Sequence, residues 1–190
     1  MASSIQICNK ALQRIGAARI TSLEDNTASS KACLAIFDTT VEEVLSMADW
    51  SCARRSAELA QTNNTPTYGY DYEYQLPTDP KCLRVISTDM TPNGAADYVI
   101  QGDKLLCNET SVSITYTALL TAAGDFGPFF SKALAAKLAV ELCYAFTATQ
   151  AKVDAMQQQA DKDFMEAIAA DSIQGSPISM RNDEYDGSRL

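Results

Sequence analysis

The sequence predicts a mainly α, α+β chain: an antiparallel bundle of about four helices, a small antiparallel β-sheet inserted between helices 2 and 3, and an extended C-terminal tail. Three observations carry this expectation. Apolar residues recur at spacings of three and four near both ends of the chain, the period shortens to two between 65 and 119, and 175–190 has no period. A length of 190 residues, 46% of them hydrophobic and 21% charged, suffices for one core and excludes global disorder. One domain at 1–174 with a tail at 175–190 follows.

The first helix, 3–16, starts from Ser3 or Ser4 as N-cap. It sets Ile5, Cys8, Leu12 and Ile15 on one face and stops at Gly16. The second, 27–49, carries a stripe through Cys33, Ile36, Phe37, Thr40, Val41, Val44, Leu45 and Ala48 with Glu42, Glu43 and Ser46 opposite. Residues 52–61 show no clear pattern. In the β insertion, 65–119, the stretch 65–80 holds three prolines and a tyrosine at every second position, Tyr68, Tyr70, Tyr72 and Tyr74. Residues 83–87 read as a strand, 98–101 and 104–107 as a hairpin about Gly102 and Asp103, and 111–117 as a strand with Val112, Ile114 and Tyr116 on one face. These make a sheet of three or four strands.

Helix returns at 128–148, where Pro128 suits a first-turn position and Phe130, Leu134, Leu138, Leu142 and Phe146 recur every four residues. Alanines fill most of the remaining positions, so this helix is apolar nearly all round and must be covered on more than one side. The last helix, 150–173, returns to a single stripe of Val153, Met156, Ala160, Phe164, Ala167 and Ile168.

Fifteen Lys and Arg stand against 24 Asp and Glu, giving −9, and there is no histidine. Imidazole-dependent triads, His-rich zinc sites and imidazole pH switches are thereby excluded. Residues 61–125 hold 3 basic against 8 acidic side chains, the most acidic stretch of the chain. A chain so charged does not hold nucleic acid by neutralising phosphates. Six cysteines, 19 to 36 residues apart and without a CxxC pair, read as buried free thiols of a cytosolic, reducing compartment. No stretch approaches 18 uncharged apolar residues, so no membrane span is expected.

Little here points to chemistry. Asp71 and Glu73 share a face of an extended segment, a spacing that suits acid and base work but is expected by chance among 24 acids, and a solvated face is the stronger reading. Neither GxxxxGK[ST] nor GxGxxG occurs. No enzyme activity, cofactor or metal is expected. The tyrosine run, without Lys or Arg between 61 and 80, favours protein docking over base stacking, with Tyr70 and Tyr74 as candidate contacts. Arg54 and Arg55, soon after Trp50, form the only adjacent basic pair. Interface arginines are one reading and a local ion pair with Glu42, Glu43 or Glu58 the other.

Taken in order, these segments resemble a known family. Ile15-Gly16, then Ser22, Leu23 and Glu24, then a long helix running into Trp50 with Arg54 and Arg55 beyond it, resemble the opening of phage head-to-tail adaptor (connector) proteins of the tail tubular protein A type. Tyr70, Tyr74, Leu76, Pro77, Leu83, Arg84 and Val85 are similar to that family's Tyr-rich, Leu-Pro, Leu-Arg-Val segment, and 130–143 to its alanine-rich third helix. The likeness spans nearly 2–170.

The resemblance implies a virion protein of the neck or tail, made in the cytoplasm of a bacterial host. Its partners would be identical subunits in a ring, typically of twelve copies, the portal protein above and a nozzle or tube protein below. DNA would pass through the channel without specific binding. Three features read from the residues agree. The third helix offers apolar surface for lateral packing on identical copies. The acidic surplus suits a conduit that repels phosphate. The tail, with Ile178, Met180, Tyr185 and Leu190 among polar residues, suits ordering on a partner such as the portal. A reading of another class is a cytosolic helical protein-binding or regulatory module that takes up a peptide on the tyrosines at 68–74.

Overall fold

The computed structural model describes residues 3–90, 97–146 and 149–174. Within them the chain forms α1 (Ser4–Ile15), α2 (Ala28–Met47), β1 (Arg54–Glu58), β2 (Ala60–Gln61), β3 (Tyr72–Gln75), β4 (Cys82–Thr88), β5 (Tyr98–Gln101), β6 (Lys104–Cys107), β7 (Ser113–Ala118), α3 (Pro128–Phe146) and α4 (Gln150–Ser172).

Helix α1 begins where Ser3 accepts the Gln6 N–H on its hydroxyl (3.2 Å) while its own N–H donates to Gln6 Oε1 (3.0 Å), a reciprocal cap. It ends at Gly16, whose φ of 77° is the left-handed stop that a side chain would resist. Asn9 then pins the following loop by donating to the Ile20 carbonyl (2.9 Å) and accepting the Ile20 N–H (2.8 Å). The Ser22–Asp25 turn closes on the Asp25 carboxylate, which accepts from Thr21 and Ser22. These bonds, Thr21 first, hold its pKa below the ordinary value. Thr27 caps α2.

Helix α3 lies against all three other helices and is their common core, with Phe130, Leu134, Leu138, Leu142 and the alanines Ala133, Ala135, Ala136 and Ala139 buried. The small side chains let neighbouring backbones approach. From Phe130 to Cys143 its apolar surface is therefore covered within the chain, which corrects the expectation that identical copies are needed to cover it there, while Tyr144 (60%) and Phe146 (40%) at its end stay exposed.

The expectation of a helical bundle carrying one small inserted sheet is also corrected. The fold is a strand-rich α+β arrangement with two antiparallel sheets between two pairs of helices. Sheet A runs β1-β7-β4 and sheet B runs β2-β3-β6-β5. The β region opens at Arg54 rather than 65. Strand β1 escapes a periodicity reading because Arg54, Arg55, Ser56 and Glu58 are all exposed and only Ala57 turns inward.

Leu59 alone separates β1 from β2, so one extended segment passes from the edge of sheet A to the edge of sheet B. The Leu59 N–H donates to Val112 O (2.8 Å) and its side chain enters the space between the sheets. There it joins a second core with Tyr74, Leu105, Cys107, Val112, Ile114 and Tyr116, the last three alternating inward from the residue before β7 into that strand, as their spacing indicates. Helix α2 packs on β4 and β7. The layers therefore run from helices through sheet A and the second core to sheet B.

Candidate interaction surfaces

The junction between the helical and β layers is built around Trp50. Beyond α2 the chain is extended at Ala48, and Trp50 folds back so that its indole N–H donates to Val44 O (2.8 Å). The ring meets Phe130 and Phe164 edge to face, centroids 5.4 and 5.9 Å apart, and is 1% exposed. Trp50 is thus a core anchor inside the chain, which corrects its assignment as a partner contact.

The next residue is fixed from the far end of the chain. The Asp171 carboxylate, buried at the last turn of α4, accepts the Ser51 N–H (2.7 Å) and the Ser51 hydroxyl (2.8 Å). Arg54 turns back to Asp49 with contacts of 2.5 and 3.3 Å, and this bond raises the guanidinium's pKa. Arg55 donates to the carbonyls of Cys52 (3.0 Å) and Arg54 (2.8 Å). Neither arginine pairs with Glu42, Glu43 or Glu58. Glu42 instead takes Lys81 at 2.9 Å. Both arginines keep exposed surface on the outer strand of sheet A.

The four alternate tyrosines do not form one exposed strip. Tyr74 is 1% exposed, donates its hydroxyl to Glu109 O (2.7 Å), and has its phenol pKa pushed up by burial. Its reading as a partner contact is corrected: the same alternation that aligns these rings turns Tyr74 into the second core, where Tyr72 joins it. Tyr70 is half-buried and donates to Asp97 Oδ1 (2.9 Å), a bond that raises its pKa. Gly69, at φ 86°, breaks the extended run. Tyr68 beyond it is 92% exposed. It borders a hollow of about 490 Å³ that Pro66, Glu73, Gln101 and Leu106 also line.

Asp71 and Glu73 are not brought together as an acid and base pair. Glu73 bonds Lys104 (2.8 Å) and Thr62 (2.8 Å), which together hold its carboxyl below the usual range. Asp71 offers its N–H to Asn108 and is exposed. Among the described residues no group of three or more Cys, Asp or Glu side chains is placed to hold a metal. No helix of the described residues is long and apolar enough to cross a membrane. The cysteines are free, with Cys8, Cys33, Cys107 and Cys143 buried and Cys52 and Cys82 half-buried. Ile178, Met180, Tyr185 and Leu190 lie outside the described residues.

Two features were not singled out from the sequence. First, Val99 (39%) and Ile100 (40%) are exposed on β5, the outer strand of sheet B. The signal was two adjacent apolar residues in a short hairpin strand, since one of any such pair must face away from a single core. Second, Arg14 of α1 reaches past α3 to Asp163 of α4 at 2.6 Å, with Lys132 of α3 at 3.7 Å from the same carboxylate. Burial opposes the charge on Asp163, yet Arg14, then Lys132 and Gln159, outweigh it and keep its pKa low. This group borders a cleft of about 790 Å³ that Ile15, Cys143, Lys152 and Met156 also line.

The acidic surplus of the middle segment has a location. Sheet B and its turns carry Asp71, Glu73, Asp97, Asp103 and Glu109 against Lys104 alone, and all five acids except the half-buried Glu73 are exposed. The layer farthest from the helices is thus the acidic one. Comparison of the chain with protein-family models and with curated proteins gives no match.

Proposed function

We propose that this chain is a structural component of a tailed-phage virion, a head-to-tail adaptor. Its copies close into a ring beneath the portal, extend the DNA channel and present a platform to the next tail protein. The observation that carries the reading is the acidic outer sheet on a rigidly anchored body. Carboxylates concentrated on one layer repel passing phosphates, so that duplex slides through instead of adhering. Trp50 and the Ser51–Asp171 bonds fix the entry to sheet A against the helices, and Leu59 and the second core join sheet B to sheet A.

The segments that carry the family likeness also occupy the joints of the fold: Ile15-Gly16 at the α1 stop, Ser22 to Glu24 in the pinned turn, Trp50 at the layer junction. In this reading the chain performs no bond-making, and identical subunits, the portal and the downstream nozzle or tube protein are its partners. The competing reading, a peptide-taking regulatory module, loses much of its surface with Tyr74 in the core. Incubation of the full chain with portal protein tests the proposal. Co-sedimentation of the two supports it, and failure to associate under every salt and stoichiometry tried contradicts it.

A further inference from the structure

Four strands end the two sheets, and three of them resist further pairing. β4 carries two register breaks, at Cys82/Arg84 and Val85/Ser87, which twist an edge away. β2 is only two residues long. β1 is guarded by charge, with Arg54, Arg55 and Glu58 along it. β5 has no such protection: Tyr98-Val99-Ile100-Gln101 holds no charge, proline or bulge, and its two central residues are exposed. An edge left in this state is a template for an added strand.

We infer that β5 of one copy takes up β1 of the next copy as an added strand, joining sheet B of one subunit to sheet A of its neighbour. The inference rests on the ring reading above and names the contact that would close it.

Charge selects this partner. β5 lies between Asp97 and Asp103, whereas β1 holds two arginines against one glutamate. In either direction of pairing the two arginines meet one of the aspartates while Glu58 faces the other, which leaves a net attraction. Two β5 edges paired with each other would instead set aspartate against aspartate at both ends.

Backbone geometry agrees. Ala118 N–H to Ala53 O and Leu59 N–H to Val112 O fix the alternation along β1, so the N–H groups of Ser56 and Glu58 point away from β7. In a two-residue hairpin the pair flanking the turn, Gln101 and Lys104, is hydrogen-bonded, so the N–H of Ile100 points away from β6. Because the two edges differ, the contact is head to tail, the kind that builds a ring where the rotation closes, rather than a two-fold dimer.

The test uses the full chain with Ser56→Cys and Ile100→Cys in one molecule, each single variant, and the unaltered chain, all oxidised with copper phenanthroline. Each is melted beside the unaltered chain to confirm folding. The double variant should give a ladder of cross-linked multimers, the two single variants mixed together should give dimers, and neither alone should cross-link above the unaltered chain. Dimers from Ile100→Cys alone would overturn the inference in favour of a two-fold contact. Rings visible by electron microscopy without a ladder would overturn it and leave the adaptor reading standing; no ladder together with no ring, alone or with portal protein, would remove both. As a second variant, Ile100→Pro should keep the fold, since its N–H serves no ladder bond, and lose assembly. Assembly unchanged in Ile100→Pro would also count against the contact.

Discussion

Ser51 and Asp171 are 120 residues apart in the chain and are joined by two hydrogen bonds, 2.7 Å to the backbone N–H and 2.8 Å to the hydroxyl. The end of the last helix is thereby tied to the first residue after Trp50, the point where helices give way to strands. Hydrogen bonds to an ionised group contribute about 1.5–3 kcal/mol, and here the buried partner is the Asp171 carboxylate while Ser51 is exposed. Asp171→Ala should therefore lower stability by about 2–3 kcal/mol, or roughly 4–12 °C in Tm for a chain of this size. Asp171→Asn, which keeps one acceptor, should lose less. Asp154→Ala, at an exposed position on the same helix, should move Tm by no more than about 1 °C. Equal losses at Asp154 and Asp171, read by thermal melting, would mean the tie is not structural.

Trp50 should behave as a core residue and not as a contact. Trp50→Ala removes the ring between Phe130 and Phe164 and should cost about 3–5 kcal/mol in denaturant titration. Trp50→Phe keeps an aromatic but loses the bond to Val44 O, and should cost less. If Trp50→Ala left stability unchanged and only weakened binding to another protein, the ring would have to be a surface group.

The ion pair over α3 gives a pH signature. Asp163 has a folded-state pKa below the unfolded value near 3.8, so its contribution to stability is fully present above that pH and is lost as the pH falls through the folded value. Without Arg14 the buried carboxylate keeps its desolvation cost and loses its nearest counter-charge. Arg14→Ala should accordingly be destabilised at pH 7, with the gap to the unaltered chain narrowing as the pH falls below about 4 and Asp163 takes up a proton. Melting curves between pH 7 and 3 check this; a gap that widens on acidification would reverse the assignment.

The acidic layer should govern behaviour toward DNA. The unaltered chain should show no retention of duplex in a mobility-shift assay at about 50 mM salt. A variant with Asp71→Lys, Asp97→Lys and Glu109→Lys should bind, with affinity falling steeply as salt rises, as counterion release requires. Tight binding by the unaltered chain would not be compatible with a sliding conduit.

Most helical elements were legible because each carries its own signal. Ser3 and Gly16 bracket α1, and the four-residue recurrence from Phe130 marks α3. The Val112, Ile114 and Tyr116 alternation likewise marked its strand, and Gly102-Asp103 its hairpin. The rest was not legible for physical reasons. β1 is an edge strand whose residues face water on nearly every side, so pairing with β7 decides its state and the sequence of Arg54 to Glu58 does not show it. The division into two sheets turns on Leu59, a single residue between strands. Trp50 and Tyr74 illustrate a different limit: an aromatic with one polar atom suits an interface or a core equally, and only the acceptors at Val44 O and Glu109 O distinguish them. The Ser51–Asp171 and Arg14–Asp163 pairs depend on tertiary packing across 120 and 149 positions of chain, beyond the reach of any local pattern.

The central claim is that copies of this chain close into a ring around a DNA path. Negative-stain electron microscopy of the purified full chain, alone and after incubation with portal protein, measures this most directly. The account predicts closed rings with a central opening, seated coaxially on the portal where portal is present. A chain that remains monomeric in both preparations and leaves the portal bare would contradict it.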